Sequence, residues 1–397
     1  MKVLMLTPYF PYPLISGGQI RSYNLIKKLA KKHRITLFSF IREEKEKRYI
    51  PHLEKFCSKV KVFKRRKAWS PLNILLAGLT PFPFLVAIYY SLTLKRAIKS
   101  ELQSFDYDLI HAETFYVMPN IPKTKIPILL VEQTIEYLVY QNFVQTIGPW
   151  LLKPLLYFDV LKIKFWEKHF WQKAKSLSAM STEDKNLIQK MVNKDIRIEV
   201  IANGVDIEFF NKTKKTKTHQ PTILFVGNFK WIPNLDAVNF LVKDIWPKIK
   251  REVKNAKLWI VGQNPTEQIK KLTSLKKDIL VDDAVEDIRD AFSKSDILLA
   301  PIRNGRGTKY KVLEAMATNT PVVATPIGVE GIEVLDKTNV LIANNATGLA
   351  EKTVFLIKNR KFGQALAKEA RELVSKKFNW ENIAKKLDKL YHETGKV

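Results

Sequence analysis

Short apolar segments alternate with segments of helical apolar spacing along this chain, and this alternation limits the folds that it can adopt. Helical segments such as Ile20–Lys32 lie between most of the apolar ones. Strands that alternate with helices form a parallel sheet with helices on both faces. In the first half the predicted strands are Lys2–Leu6, Ile35–Phe40, Val60–Phe63, Leu109–His111, Ile128–Val131, Leu177–Met180 and Ile198–Ile201.

The alternation begins again after the turn Asn203–Asp206 and a polar, lysine-rich stretch over residues 211–220. Turn residues followed by a segment of low hydrophobicity are typical of a linker. A chain of 397 residues also exceeds what one hydrophobic core usually serves. The second series of predicted strands is Thr222–Val226, Lys257–Val261, Ile279–Val281, Ile297–Ala300, Val322–Ala324 and Asn339–Ile342.

The predicted fold class is therefore α/β, with two Rossmann-like domains whose parallel sheets face each other across a cleft. We assign residues 1–202 to the first domain and residues 203–379 to the second. Ligands bind at the carboxyl ends of the strands in sheets of this kind. A binding site is therefore expected at that edge of each sheet.

Charge and cysteine content indicate the compartment and the kind of partner. The formal net charge is +28, with basic runs at Lys27–Arg34 and Lys64–Lys67. A basic surface attracts anionic lipid, nucleic acid or phosphorylated substrates alike, and it can also be a solubilising surface. The single cysteine, Cys57, suits a reducing compartment. We read Met1–Thr7 as a buried strand rather than a signal peptide, so a cytoplasmic location is expected.

Two further segments could contact a membrane surface. Ala68–Leu94 is uncharged but is interrupted by prolines, so it is unsuited to a spanning helix. Trp150–Trp171 interleaves aromatic residues with lysines, as interfacial helices do. Both segments could equally be core helices under a basic face. If the two segments are interfacial, we expect peripheral contact with the inner face of an anionic membrane.

The segment Ala300–Ala317 carries the clearest chemistry. An apolar strand ends in proline, passes through a Gly-x-Gly turn and leads into a helix. Backbone N–H groups at such a helix start form an anion site, which neighbouring cations would strengthen for a diphosphate. Glu314 would lie one turn inside the helix, where a carboxylate can accept hydrogen bonds from a ribose diol. The cations of this segment are Arg303, Arg306, Lys309 and Lys311.

The motifs, taken in order, resemble the GT4-type retaining glycosyltransferases of GT-B fold. The resemblance rests on Gly307–Lys309 leading into Leu313–Ala317, followed by Pro321–Thr325 and Gly328–Gly331. Asn203–Asp206 is similar to that family's interdomain junction. The segments Ser16–Gly18 and Phe378–Trp380 resemble its first-domain loop and the start of its closing helix. The similarity covers nearly the whole chain and is strongest over residues 200–335.

The resemblance implies transfer of a sugar from a nucleoside diphosphate sugar to an acceptor hydroxyl, with retention of configuration. The closing helix, residues 380–397, would return to the first domain. Glu314 would bind the donor ribose, and His111 would line the reaction centre, so these two are the expected catalytic residues. The other expected donor-binding residues are Gly17, Gly18, Gly227, Lys230, Arg303, Arg306, Gly307, Thr308, Lys309 and Tyr310.

Three carboxylates at or after strand ends, Glu113, Glu132 and Glu136, are candidates for binding acceptor hydroxyls. The acceptor would be a carbohydrate or a lipid-linked carbohydrate, as in the synthesis of cell-surface polysaccharide, lipopolysaccharide or glycolipid. The sequence departs from the family pattern at Arg306, where a second glutamate is common. It departs again at Asn228, where an arginine is common, and Lys230 is the nearest substitute.

We expect no metal ion and no cofactor, with the nucleoside diphosphate sugar acting as a co-substrate. Asp106–Asp108 mimics an Asp-x-Asp metal motif but precedes a predicted buried strand, and the six histidines show no ligand spacing. A sugar-nucleotide epimerase of similar fold is the alternative enzyme class. A basic nucleic-acid-binding protein is the alternative outside enzymes. RNP-like motifs, in which stacking aromatics lie among clustered arginines and lysines, do not occur in the sequence, so no nucleic acid partner is expected.

Overall fold

The computed structural model describes residues 1–146, 150–192, 195–213, 215–216, 220–274, 277–283, 285–305 and 307–395. The chain divides into two compact units. The first unit combines Met1–Ala202 with Ile383–Val397, and the second is Asn203–Asn382. The predicted α/β class with two Rossmann-like units is confirmed by the sheets described below.

The first unit is built on a seven-stranded sheet, counted over the described residues. All of its neighbouring pairs are parallel, and the strand order is β3-β2-β1-β4-β5-β6-β7. The order reverses between β1 and β4, which in such sheets opens a crevice at the carboxyl ends. The strands are β1 (Lys2–Thr7), β2 (Arg34–Ile41), β3 (Lys59–Lys64), β4 (Leu109–Glu113), β5 (Ile128–Val131), β6 (Ser176–Ala179) and β7 (Arg197–Val200).

The second unit repeats this topology with six strands in its described residues. The order is β10-β9-β8-β11-β12-β13, again with parallel neighbours, so its reversal lies between β8 and β11. These central strands are apolar and buried on both faces, as parallel sheets require. The strands are β8 (Thr222–Val226), β9 (Lys257–Val261), β10 (Ile279–Asp282), β11 (Ile297–Ala300), β12 (Val322–Ala324) and β13 (Leu341–Ile342).

Helices connect the strands of both units. The helices of the first unit up to residue 202 are α1 (Gly17–Leu29), α2 (Ile50–Glu54), α3 (Pro71–Leu79), α4 (Phe84–Tyr89), α5 (Leu92–Ser104), α6 (Glu136–Thr146), α7 (Lys153–Lys173) and α8 (Thr182–Met191). Those that follow are α9 (Ile207–Asn211), α10 (Ile232–Phe240), α11 (Trp246–Glu252), α12 (Glu267–Ser274), α13 (Ile288–Ser293), α14 (Tyr310–Ala317), α15 (Ala346–Lys358), α16 (Arg360–Lys377) and α17 (Trp380–Gly395).

Two predicted helices differ in their bounds from the observed ones. The predicted helix Ile20–Lys32 begins earlier, at Gly17, because the Ser16 side chain accepts the Gln19 N–H and caps the first turn. The stretch predicted as one helix over Leu235–Glu252 is α10 and α11 joined by a π-helical turn, Leu241–Ile245. Pro247, in the first turn of α11, has no N–H to continue a regular ladder.

Polar contacts fasten the end of α17 to the first unit. Asp388 accepts hydrogen bonds from Lys32 Nζ at 2.6 Å and from His33 Nε2 at 2.8 Å. On the same helix, Tyr391 is fully buried against the sheet. The last helix is therefore part of the first core, although the chain reaches it only after the whole second unit.

The segment Ala68–Leu94 forms α3 and α4, which are separated at Thr80–Pro83. Thr80 ends α3 in an extended conformation, and Pro83 precedes the first residue of α4. Among the described residues, the structure has no helix that is both long enough and apolar enough to cross a membrane.

Candidate functional site

The carboxyl end of β11 leads into the glycine loop of the second unit. Gly305 and Gly307 have φ angles of 103° and 81°, a left-handed conformation that residues with a Cβ rarely adopt. The loop then enters α14 at Tyr310. Thr308 is buried, and its hydroxyl has no hydrogen-bond partner within the described part of the chain. Arg306 lies outside the described residues, so its predicted role stays a prediction.

Two lysines hold positive charge close to this loop. Lys309 Nζ donates to the carbonyl oxygens of Gly307 and Gly305 at 2.5 and 3.2 Å, and it lies 3.7 Å from Glu330 Oε2. Lys311 Nζ donates to Asn234 Oδ1 at 2.8 Å and lies 4.2 Å from the centre of the Phe225 ring. Both amines are therefore held within the site by the protein itself.

Burial sets the protonation of these groups. It lowers the pKa of Lys309 below its usual value, against the attraction of Glu330. It lowers the pKa of Lys311 to about 7, with repulsion from Lys309 adding to the effect. Burial also raises the pKa of Glu314 to about 7, which the charge of Lys311 opposes. Lys311 and Glu314 are three residues apart on α14 and thus share one helix face.

The end of β8 lies beside the same helix. A Cβ on Gly227 would come within 2.9 Å of Asn234 Cγ, so only glycine fits without a shift of that side chain. Asn234 Nδ2 donates to the Asn228 carbonyl at 2.8 Å while its oxygen accepts from Lys311. Asn234 thus joins the loop after β8, residues 227–231, to α14; we call this loop the β8 loop. The sequence analysis missed Asn234 because an asparagine within a helix carries no motif.

The remaining donor-site predictions have different surroundings. Arg303 pairs with Asp236, with Nε 3.1 Å from Oδ2, and stacks on the Phe240 ring at 4.3 Å. Its charge is therefore partly satisfied by α10. Lys230 is exposed after the β8 loop, and Tyr310 is half-buried at the first position of α14. The structure thus brings Gly227, Thr308, Lys309 and Glu314 together around Asn234 and Lys311, with Arg303 and Lys230 further toward solvent.

The carboxyl ends of β1 and β4 form the corresponding site of the first unit. Glu113, at the end of β4, accepts a hydrogen bond from Gln133 Nε2 at 2.6 Å and bonds to His111 Nε2 at 3.1 Å. Gln133 Nε2 also contacts Tyr9 Oη at 2.5 Å. The glycines at the start of α1 pack directly on this network. A Cβ on Gly18 would lie 2.2 Å from Tyr9 Oη.

His111 lies beneath this surface. Its ring is fully buried, and Nδ1 bonds to the hydroxyl of Tyr391 at 2.5 Å. Nε2–H donates to Glu113, and Nδ1 shares a hydrogen bond with the Tyr391 hydroxyl, which can either donate or accept. Burial raises the pKa of Glu113, but the hydrogen bond and charge of His111, with the charge of Arg21, outweigh it and hold that pKa below its usual value. Glu113 is therefore an ionised carboxylate buried behind Tyr9 and Gln133.

The other two predicted acceptor carboxylates face α7. Glu132 is buried and accepts from Trp171 Nε1 at 2.9 Å. Glu136 is half-buried at the start of α6, where the N–H groups of Glu136 and Tyr137 donate to Glu167 at 2.7 and 3.0 Å. Burial, together with repulsion from neighbouring carboxylates, raises the pKa of Glu132 and of Glu167 well above the usual value. Glu167, which the sequence analysis did not single out, completes this group.

Comparisons with known proteins identify the family of this chain. The description "Glycosyltransferase Family 4" matches residues 15–209, and "Glycosyl transferases group 1" matches residues 220–359. An uncharacterized glycosyltransferase of Methanocaldococcus jannaschii is 26% identical over 409 residues, which cover 99% of this chain and 98% of that protein.

Two solved structures share the fold. Sucrose-phosphate synthase from Thermosynechococcus elongatus is 18% identical, with a TM-score of 0.73 and 99% of each chain covered. Anabaena HepE in complex with UDP and glucose is 16% identical, with a TM-score of 0.67 and coverage of 99% of this chain and 100% of that one. The fold and the two family matches define a glycosyltransferase of the GT-B class. Within that class, the chain belongs to the group 1 glycosyltransferases, family 4.

Proposed function

We propose that this enzyme transfers a sugar from a UDP-sugar to a hydroxyl of a carbohydrate or lipid-linked acceptor. Retention of configuration and independence from metal ions are part of the proposal. The observation that carries it is the pair Lys309 and Lys311 beside the glycine loop, with Glu314 one turn further along α14. The choice of UDP is supported by its presence in the complex of HepE.

The donor chemistry follows from the charges. Negative charge grows on the leaving diphosphate in the transition state, and cations already in position stabilise it most. Lys309, Lys311 and the amino-terminal end of α14 would supply this stabilisation, which is why no metal ion is invoked. Glu314 would accept hydrogen bonds from the ribose hydroxyls and so position the nucleoside.

On the acceptor side, we propose that Tyr9 and Gln133 contact the acceptor hydroxyl and that Glu113 orients them. His111, expected to line the reaction centre, has both ring nitrogens engaged by Tyr391 and Glu113. It would therefore act through Glu113, as a positioning residue. The group around Glu132 and Glu136 stays a candidate for more distant parts of the acceptor.

A donor panel tests the reaction. The enzyme would be incubated with UDP-, GDP-, ADP- and dTDP-sugars and candidate acceptors in EDTA. Nucleotide release would be followed, products identified by mass spectrometry, and the new anomeric bond assigned by NMR. We expect UDP release with a retained linkage. Conversion of the sugar nucleotide without transfer would support the epimerase instead, and activity only with added divalent metal would contradict metal independence.

Glu314→Ala tests the donor assignment. Hydrogen bonds to a charged group contribute about 1.5–3 kcal/mol, so the donor KM should rise roughly 10- to 100-fold. The control is Glu351→Ala, at an exposed position of α15. Equal KM values for wild type and Glu314→Ala would remove Glu314 from the site.

We also propose a role in cell-surface polysaccharide, lipopolysaccharide or glycolipid synthesis, at the inner face of the membrane. The basic composition supports it, because such a surface attracts anionic headgroups. This role can be tested by assaying sugar transfer to lipid-linked and to soluble acceptors. Transfer only to soluble acceptors would argue against it.

A further inference from the structure

We propose that the exposed faces of α3 and α7 form one surface that binds an anionic lipid bilayer; we call it the α3–α7 surface. The inference deepens the proposed function, since it names the part of the chain that would bring a lipid-linked acceptor and the enzyme together. The biological role of this surface rests on the proposed function, whereas the observations of exposed residues and charge do not.

Helix α3 turns apolar side chains toward solvent. Leu72, Leu75 and Leu79 follow one another at helical spacing along one face, and all are exposed, Leu79 to 78%. Trp69, just before the helix, is 79% exposed. The solvent face of a helix in a soluble domain is normally polar. A contiguous apolar face in this position indicates a partner.

Helix α7 repeats the pattern over a greater length. Leu155, Phe158, Leu161 and Phe165 are spaced by three or four residues, and each is more than half exposed. The opposite face of α7 packs into the core of the first unit through residues such as Ile163 and Trp171. Helix α7 is therefore apolar both on the side that packs into the core and on its outer side.

Hydrogen bonds hold the end of α3 against α7. Lys162 Nζ, on α7, donates to the carbonyl oxygens of Ala77 and Thr80 at 2.7 and 3.0 Å, at the end of α3. Trp166 Nε1 donates to the Pro81 carbonyl at 2.8 Å. The carboxyl end of α3 is thus held against the middle of α7.

The charges of this surface select an anionic partner. The two acidic residues of α7 are both engaged by the protein, because Asp159 accepts the Phe84 N–H and Glu167 caps α6. The five lysines of α7 outnumber its two acids, of which Asp159 is attracted by Lys162. The lysines are Lys153, Lys162, Lys164, Lys168 and Lys173. Apolar side chains bordered by lysines fit the boundary between acyl chains and anionic headgroups, where amphipathic helices lie.

Vesicle sedimentation of the full chain tests this surface. The probes are vesicles of phosphatidylcholine alone and of phosphatidylcholine with 30% phosphatidylglycerol, each at low salt and at about 0.5 M salt, where screening is strong. We expect binding to the anionic vesicles at low salt, at least tenfold above the neutral ones, and weaker binding at high salt. No binding of wild type to anionic vesicles at low salt would overturn the inference.

A matched pair of variants locates the contact. Leu155→Glu with Phe158→Glu should lower vesicle binding at least tenfold. Leu280→Glu with Leu335→Glu, at exposed leucines of the second unit, adds the same charge and should leave binding unchanged. Equal binding by the α7 variant and wild type would contradict the proposal. A dimer by light scattering that the α7 variant dissociates would instead make this surface an interface between two copies.

Stabilisation by UDP, measured on the same samples, separates the two proposals. The α7 variant should keep the thermal shift produced by UDP, which also shows that it is folded. If UDP fails to stabilise even wild type while vesicles still bind, the proposed donor is wrong and the α3–α7 surface stands. If UDP stabilises the enzyme but vesicles do not bind, the proposed donor stands and the α3–α7 surface is wrong.

Discussion

At the scale of single residues, the proposed donor site contains groups whose pKa values burial has moved toward neutrality. Burial lowers the pKa of Lys311 to about 7 and raises that of Glu314 to about 7, because an apolar surrounding disfavours the charged form of each group. A diphosphate would favour the cationic form of Lys311, so the enzyme would take up protons when the donor binds. Titration of these side chains should thus appear in the pH profile of donor binding.

Lys311→Arg tests this dependence. In wild type, Lys311 is cationic below about pH 7 and loses its charge above it, so the donor KM should rise as the pH increases from 7 to 9. Arginine keeps its charge throughout this range, and the rise should be largely abolished. Steady-state kinetics at fixed acceptor concentration measure it, with Lys352→Arg as control. The same alkaline rise in Lys311→Arg would assign it to another group.

Gly18→Ala tests the acceptor side. The new Cβ would lie 2.2 Å from Tyr9 Oη and 2.8 Å from Gln133 Oε1, so both side chains would have to move. Overpacking of this kind costs about 1–3 kcal/mol. We expect a raised acceptor KM with an unchanged donor KM. Gly78→Ala is the control, since nothing lies within 4 Å of that Cβ. A raised donor KM would instead support the donor role predicted for Gly17 and Gly18.

At the scale of secondary-structure elements, the start of α6 brings carboxylates together. Glu167 of α7 binds the first N–H groups of α6, where a negative charge is favourable, yet burial and the nearby Glu136 disfavour that charge. The outer side of the same helix is part of the α3–α7 surface. One element thus links the buried carboxylates of the first unit to its proposed membrane contact.

The pH dependence of stability follows from this group. Partial burial raises the pKa of Glu136 to about 7 from an ordinary value near 4.5. Its contribution to stability is therefore complete below about pH 4.5 and is lost as the pH rises through 7. The melting temperature of wild type should fall between about pH 4.5 and 7, and Glu136→Gln should flatten that fall. Glu183→Gln, at an exposed position of α8, should leave it unchanged. A Glu136→Gln profile parallel to wild type would contradict the raised pKa.

At the scale of the whole molecule, two units of similar topology have different chemistry at equivalent places. Both present the carboxyl ends of their central strands at a reversal of strand order. In the second unit this edge carries buried lysines, whereas in the first it carries a buried carboxylate and a histidine. This difference in charge is the reason that the anionic donor is proposed to bind to the second unit.

Hydrogen exchange with and without saturating UDP tests this assignment. We expect the largest slowing in peptides that contain Gly227–Asn234 and Gly307–Ala317, because the ligand would cover the β8 loop and the start of α14. Peptides from the seven-stranded sheet of the first unit act as the internal control. Protection confined to residues 1–202 would be incompatible with the proposed donor site.

Local patterns in the sequence were sufficient to predict the fold class and the glycine loop before α14. Alternating apolar segments indicated all thirteen described strands, and the Gly-x-Gly turn before α14 needed only the residues around it. Helix ends were less accurate, since caps such as Ser16 and the π-helical turn before Trp246 depend on single contacts.

Tertiary structure decided which distant residues meet. Asn234 reaches Lys311, Tyr391 reaches His111 and Glu167 caps α6 across separations of 77, 280 and 31 residues. No local pattern encodes such contacts, because they arise only when the strands and helices pack. Packing also decided that the outer faces of α3 and α7 remain exposed. The sequence had left them equally compatible with a core or with a membrane surface.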